Sequence, residues 1–107
     1  MNITTISGRL GKDIEIRVDE KKMIEGEISI AVNDYIGKSA QGEPKYWLTW
    51  VTCVIRGERV MALQDQLCKG RFVCISGQLR TRNWKTSDGK TVPVSYVLVD
   101  NIEFDSK

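Results

Sequence analysis

The chain has 107 residues, 41% of them hydrophobic, and carries a formal net charge of +2 at pH 7. This length suits one small domain with one core, so we expect a single domain over residues 1–107. Such a small net charge excludes a uniformly basic surface. Any binding of nucleic acid must therefore come from local clusters of Lys and Arg.

Histidine is absent, and the three cysteines, Cys53, Cys68 and Cys74, show no Cys-x-x-Cys spacing. Without histidine, catalysis by Ser-His-Asp or Cys-His groups is excluded. The cysteines also lack the spacing that is typical of zinc ligands. We expect three free thiols, most of them buried or half-buried. We expect no catalytic residue, no metal and no cofactor, and hence a protein that is not an enzyme.

No apolar run approaches the roughly 20 residues that cross a bilayer. The first residues, Met-Asn-Ile-Thr-Thr-Ile-Ser-Gly-Arg, also lack the charged start and apolar centre of a secretory signal. We therefore expect a soluble cytoplasmic protein without a membrane partner.

The first third of the chain predicts two strands. Residues 2–10 are rich in Ile and Thr, and after the turn signal at 10–13 apolar and charged residues alternate as far as Val18. This pattern predicts one long strand with a bend near Gly8 or Gly11. A second strand is predicted over about 24–33, and its period of two places four residues opposite its apolar face: Glu25, Glu27, Ser29 and Ala31.

The middle of the chain predicts a loop and a third strand. Residues 34–45 hold Gly37, Gly42 and Pro44, which favours a long flexible hairpin loop. A strand is predicted over about 46–56, with Val51, Cys53 and Ile55 toward the core and with Trp50, Thr52, Val54 and Arg56 on the other face. The alternative for Trp50 is a core tryptophan.

The sequence after residue 56 predicts one short amphipathic helix between Gly57 and Gly70. It then predicts a strand over about 71–80, a loop that carries Trp84, and a strand over about 92–104. Three strands, a helix and two strands is the order of an OB-fold, an all-β, five-stranded Greek-key barrel with one short helix. Such barrels bind oligonucleotides or oligosaccharides, and the fold alone does not decide between them.

The segment after the fourth strand combines positive charge with an indole. Arg80, Arg82, Lys85 and Lys90 can meet phosphates, while Trp84 offers a flat face to a base. Stacking of a base on an aromatic side chain is worth about 1–3 kcal/mol whatever the base. The pattern therefore indicates a strand of nucleic acid as ligand. The alternative is a hairpin with solvated charges.

The sequence resembles the bacterial single-stranded DNA-binding protein family over nearly all of its length. The most specific match is the run Gly77-Gln78-Leu79-Arg80-Thr81-Arg82-x-Trp84. The others, in chain order, are Asn2 to Leu10, Gly11-Lys12-Asp13, Glu15-x-Arg17, Ile30-Ala31-Val32, Gly42-Glu43, Trp50, Gly57 and Lys69-Gly70.

The resemblance implies a homotetrameric OB-fold protein that binds single-stranded DNA with little sequence preference, in DNA replication, repair or recombination. It further implies that Trp50 and Trp84 stack on bases. The basic residues that it places near the DNA path are Arg17, Lys69, Arg80 and Arg82.

Two stacking positions depart from the family pattern. Ile36 stands where the family has a third stacking tryptophan, and Arg56 stands where it has a phenylalanine. Tyr35 is a candidate for the first role, and the Arg56 guanidinium can stack on a base while adding charge. The alternative for Arg56 is a structural ion pair with a neighbouring carboxylate.

Family positions near subunit contacts carry Val51, Phe72 and Cys74. We therefore expect self-association, as dimers paired through the first strands or as tetramers. The alternative for Phe72 and Cys74 is an ordinary place in the core.

The family continues past the barrel into a flexible, acidic-tipped segment that recruits other enzymes, whereas this sequence stops at Phe104-Asp105-Ser106-Lys107. One alternative is a bacterial primosomal or mobile-element protein, plasmid- or phage-encoded, that acts mainly through partners such as replication-restart proteins. The other is a trimmed domain of a general single-strand binder.

Overall fold

The computed structural model describes residues 1–105. Ser106 and Lys107, which end the predicted domain, lie outside the described residues. The described chain forms six strands and one short helix: β1 (Thr4–Leu10), β2 (Glu15–Val18), β3 (Ile24–Lys38), β4 (Pro44–Arg56), α1 (Arg59–Leu63), β5 (Phe72–Lys85) and β6 (Thr91–Phe104).

The six strands close into a barrel. Their order in the sheet is β1-β5-β6-β4-β3-β2, and β1 pairs with β3 as well as with β5. All pairings are antiparallel except the short parallel contact between β4 and β6 at Cys53 and Val54. The predicted all-β OB-fold barrel with one short helix is confirmed. The predicted first strand is divided at residues 11–14 into β1 and β2, which gives six strands where five were expected.

The barrel closes where β1 crosses β3, and the crossing requires a glycine. A Cβ atom built on Gly8 would lie 2.2 Å from the Ala31 carbonyl oxygen, so no larger residue fits there. The interior is filled by aliphatic side chains of β1, β3, β4, β5 and β6 together with Val60 of α1 and Leu67, and the half-buried Ile16 of β2 packs against them.

The predicted loop over residues 34–45 is wrong, because β3 and β4 continue as a paired hairpin as far as Lys38 and Pro44. Tyr35 and Tyr46 face each other across it with ring centroids 5.9 Å apart. The turn itself is short, since the Ser39 hydroxyl accepts hydrogen bonds from the backbone of residues 41 and 43. A cross-strand pair of aromatic rings thus extends strand pairing into a segment whose composition favours a loop.

A similar correction applies to Trp84, which was predicted in a loop. β5 runs on to Lys85 and pairs with β6 in register, so that Trp84 lies opposite Val92. The indole is therefore held on a paired strand.

The prediction that most of the cysteines are buried is wrong. All three are free thiols, but only Cys53 is buried, whereas Cys68 and Cys74 are exposed. Cys74 points outward because its neighbours Val73 and Ile75 point into the core. Burial raises the pKa of the Cys53 thiol to about 12.

No helix in residues 1–105 has the length and apolar character needed to cross a membrane.

Candidate nucleic-acid interface

One side of the sheet, here called the outer face, carries the side chains of β2, β3 and β4 that point away from the core. Across β3 and β4, Ala31 lies opposite Trp50, Ser29 opposite Thr52, Glu27 opposite Val54 and Glu25 opposite Arg56. On the other side of β3, Arg17 of β2 lies opposite Glu25. The period of two in three neighbouring strands therefore brings Trp50, Arg17 and Arg56 to one surface.

Three depressions on the outer face adjoin one another through shared lining residues, and together they are here called the groove. The first, of about 210 Å³, contains Trp50, Thr52 and Glu27. Thr52 and Glu27 also line the second, of about 60 Å³, which adds Trp84. The second shares Arg17 and Arg82 with the third, of about 580 Å³, which ends at Arg56. The groove thus connects five of the predicted site residues: Trp50, Trp84, Arg17, Arg82 and Arg56.

Trp50 is 57% exposed, which excludes the core tryptophan considered above. Its indole lies against the backbone of Gly11, because a Cβ atom built there would come within 2.4 Å of the Trp50 Cζ3 atom. Gly11 therefore provides the floor on which the ring rests, and the exposed part of the ring is available to a ligand.

Trp84 is also 57% exposed. It reaches the outer face from β5 and lies near Val94 and Tyr96 of β6 in the second depression. Two solvent-exposed indoles on two different strands thus border the same groove. Such a pair of flat apolar surfaces suits stacking on successive bases.

Each cation in the groove pairs with Glu25 or Glu27. Glu27 pairs with Arg17 at 2.5 Å and with Lys12 at 3.3 Å, and Lys12 also pairs with Glu15 at 3.0 Å. Glu25 pairs with Arg82 at 3.2 Å and, more loosely, with Arg56 at 3.8 Å. The ion pair considered above as the alternative for Arg56 is therefore present.

These contacts shift three pKa values. Hydrogen bonds to Glu15 and to Glu27 raise the pKa of Lys12. Burial of Glu27 opposes its ionisation, but hydrogen bonds from Arg17 and Lys12 outweigh that effect and hold the pKa of Glu27 below its ordinary value. The hydrogen bonds from Arg82 to Glu25 raise the pKa of Arg82 despite partial burial. The Arg82 guanidinium also lies 4.3 Å from the centroid of the Tyr96 ring, a cation–π distance.

The other four predicted site residues lie outside the groove. Lys69 lines a separate depression of about 300 Å³ with Arg9 and Arg71, and its backbone amide donates to Asp13 at 2.7 Å. Arg80 lies on β5 two residues before Arg82 and hydrogen-bonds to the Gln78 side chain.

Tyr35 and Lys85 lie near the ends of the two long hairpins. Tyr35 lies on the β3–β4 hairpin, four pairs beyond Ala31 and Trp50 and on the same side, so it extends the outer face away from the barrel. Lys85 ends β5 and lies opposite Thr91. Neither residue lines the groove.

Sequence reasoning missed two residues of the groove, Lys12 and Tyr96, and it also missed the exposure of Trp47. The sequence places Lys12 in a turn and in a family match but not in the site, and the contact of Tyr96 with Arg82 depends on the pairing of β5 with β6. Trp47 occupies a position whose alternation predicts the core, yet it is 64% exposed, because that part of β4 extends beyond the barrel. Glu25 and Glu27 were assigned correctly to the face opposite the apolar one, but their partners depend on strand neighbours that a single sequence does not reveal.

Among residues 1–105, no three His, Cys, Asp or Glu side chains come together as a candidate metal site.

Comparison with known proteins identifies relatives across the whole described chain. The model of the single-strand binding protein family matches residues 1–105. Single-stranded DNA-binding protein 2 of Staphylococcus aureus strain Mu50 is 32% identical over 104 residues, which cover 97% of this chain and 72% of that protein. The single-stranded DNA-binding protein of Bacillus cereus is also 32% identical over 104 residues, which cover 97% of this chain and 59% of that protein.

A solved structure shares the fold. The structure described as Plasmodium falciparum SSB complex with ssDNA superimposes with a TM-score of 0.82 at 23% identity, covering 99% of this chain and 96% of that one. The chain thus accounts for nearly all of that structure but for only 59% to 72% of the length of the two bacterial relatives.

Proposed function

Because this chain belongs to the single-strand binding protein family, we propose that it binds single-stranded DNA along the groove of the outer face, without sequence preference and without acting as an enzyme. The observation that carries this proposal is the pair of exposed indoles, Trp50 and Trp84, at one groove that also holds four cations: Lys12, Arg17, Arg56 and Arg82.

The mechanism follows from the chemistry of a single strand. Its bases are unpaired and can leave their own stack to lie on the two indoles, while its phosphates approach the neighbouring guanidinium and ammonium groups. Every base has a π face, so stacking does not read sequence. Duplex DNA keeps its bases stacked inside the helix, so only its phosphates are available to this surface.

Arg80, Lys69, Lys85 and Tyr35 are proposed as contacts beyond the groove. Arg80 adjoins it on β5, and Tyr35 continues its aromatic surface onto the hairpin. Lys69 lies with Arg9 and Arg71 at a separate basic depression, which a longer strand would reach only after leaving the groove.

Self-association through β1 is part of the proposal. Residues Thr4 to Arg9 pair with β5 along one edge, but only Arg9 and Leu10 pair with β3 along the other. Within residues 1–105, the second edge of the first half of β1 has no strand partner, and it can pair with the same strand of a second copy. We propose a homodimer or homotetramer, acting in replication, repair or recombination in the bacterial cytoplasm.

Binding is tested by titrating the protein into labelled dT oligonucleotide and into duplex of equal length, with fluorescence anisotropy at several salt concentrations. We expect tight binding of the single strand and poor binding of the duplex. The affinity for the single strand should fall with salt, since each neutralised phosphate contributes about 0.7 to the log–log slope. Weak binding of dT at low salt would contradict the proposal and would favour a barrel that acts through protein partners.

A further inference from the structure

Two carboxylates occupy the middle of the cationic groove. Glu25 lies between Arg56 of β4 and Arg82 of β5, and Glu27 lies between Lys12 and Arg17. Both glutamates come from β3 and both are half-buried. Each of the four cations that line the groove is therefore already paired with a carboxylate in the free protein.

A phosphate can bind such a cation only by sharing it with the glutamate or by replacing the glutamate. Carboxylate and phosphate oxygens accept the same charge-assisted hydrogen bonds from a guanidinium group. Ion pairs as exposed as these are individually weak, so exchange of the partner is feasible. The pair at 3.8 Å between Arg56 and Glu25 is the loosest of the four and the easiest to exchange.

We infer that Glu25 and Glu27 compete with DNA phosphates for the cations of the groove and thereby lower the affinity of the protein for a single strand. This inference rests on the proposed function. The two carboxylates keep the four cations pre-positioned in the free protein. When DNA binds, the four side-chain cations pair with its phosphates, and the two carboxylates then take up cations from the salt. The strand is consequently held less tightly than four unpaired cations would hold it.

The substitutions Glu25→Gln and Glu27→Gln test this inference, because they keep the shape of the side chain and remove its charge. Each variant should bind dT oligonucleotide about two- to fivefold more tightly than the unchanged protein, the range expected when two ion pairs are lost that are each at the weak end for exposed pairs. Each should also show a steeper salt dependence, because one carboxylate fewer is left to take up a salt cation when DNA binds.

Glu103→Gln is the matched control. It makes the same change in net charge at an exposed position of β6 that belongs to no ion pair of the described residues. Its affinity should stay within about a third of a log unit of the unchanged protein, since distant exposed charges are screened by salt. If Glu25→Gln and Glu27→Gln bind no more tightly than this control, the competition does not exist. Weaker binding would mean that the glutamates only position the cations.

A second measurement needs no variant and so does not depend on how a variant folds. The carboxyl carbon of Glu27 can be followed by NMR through a pH titration of the unchanged protein, with and without saturating dT. Loss of Arg17 and Lys12 to the DNA should raise the pKa of Glu27 toward its ordinary value. An unchanged pKa in a complex that has formed would overturn the inference, whereas failure to bind dT at all would overturn the proposed function instead.

Discussion

At the scale of single residues, the site depends on how each aromatic ring is supported. Trp50 rests on Gly11, where the absence of a side chain leaves room for the indole. Trp84 is held instead by strand pairing, opposite Val92. The sequence alone indicated both tryptophans as stacking residues, but it did not indicate the support from Gly11, because that contact joins residues 39 positions apart.

Gly11→Ala should weaken DNA binding by displacing Trp50. The new methyl group would lie where the ring now is, so we expect a loss of about 1 kcal/mol, the lower end of one stacking contact. Anisotropy titration of Gly11→Ala, Trp50→Ala and the double variant measures this. If Gly11 acts through Trp50, the second substitution should add little to the first. If the loss of binding free energy in the double variant equals the sum of the two single losses, Gly11 does not act through Trp50.

Trp84→Ala should cost about 1–3 kcal/mol of DNA binding and leave folding intact, since the side chain is exposed in the free protein. Trp47→Ala is the matched control, because Trp47 is equally large and exposed but lies on the opposite side of the β3–β4 hairpin from Trp50. If Trp84→Ala binds DNA as tightly as the unchanged protein, the Trp84 indole does not contact the DNA.

The three thiols should differ in reactivity. Cys53 is buried with a pKa of about 12, so almost none of it is thiolate at pH 8. A colorimetric disulfide reagent should therefore titrate the exposed Cys68 and Cys74 in the native protein and reach the third thiol only after unfolding. Rapid reaction of all three in the native protein would contradict the burial of Cys53.

At the scale of secondary structure, alternation in the sequence predicted which way side chains point but not how far strands extend. It placed Cys53 and Ile55 in the core and Trp50 on the other face, as the structure has them. It did not predict that β3 and β4 pair out to Lys38 and Pro44, because Gly37, Gly42 and Pro44 are typical of loops. The aromatic pair of Tyr35 and Tyr46 explains the difference.

Acid should weaken the connection of β2 to β3. The pKa of Glu27 is lower in the folded protein than its ordinary value of 4.5, so its ion pairs with Arg17 and Lys12 stabilise the fold fully above that pH. This stabilisation is lost as the pH falls through the folded pKa. Melting temperatures measured from pH 7 down to about pH 3 should fall less for Glu27→Gln than for the unchanged protein. If the melting temperatures of the two proteins fall equally with pH, the ion pairs of Glu27 add nothing to stability.

At the scale of the whole molecule, the order of elements and the run that ends at Trp84 were sufficient to predict an OB-fold barrel of the single-strand binding family. They were not sufficient to predict the balance of charge in the groove. A net charge of +2 gives no sign that four cations and two glutamates meet on one face. The placement of these cations beside the glutamates depends on the position of β3 between β2 and β4 and on the register of the strands, which only the folded chain reveals.

The central claim is that the indoles of Trp50 and Trp84 contact the bases of a single strand. The most direct test is a tryptophan-fluorescence titration with dT oligonucleotide, comparing the unchanged protein with the double variant Trp50→Phe/Trp84→Phe, in which only Trp47 still emits. We predict strong quenching in the unchanged protein and almost none in the variant. Equal quenching in both, or tight binding without quenching, would contradict the claim.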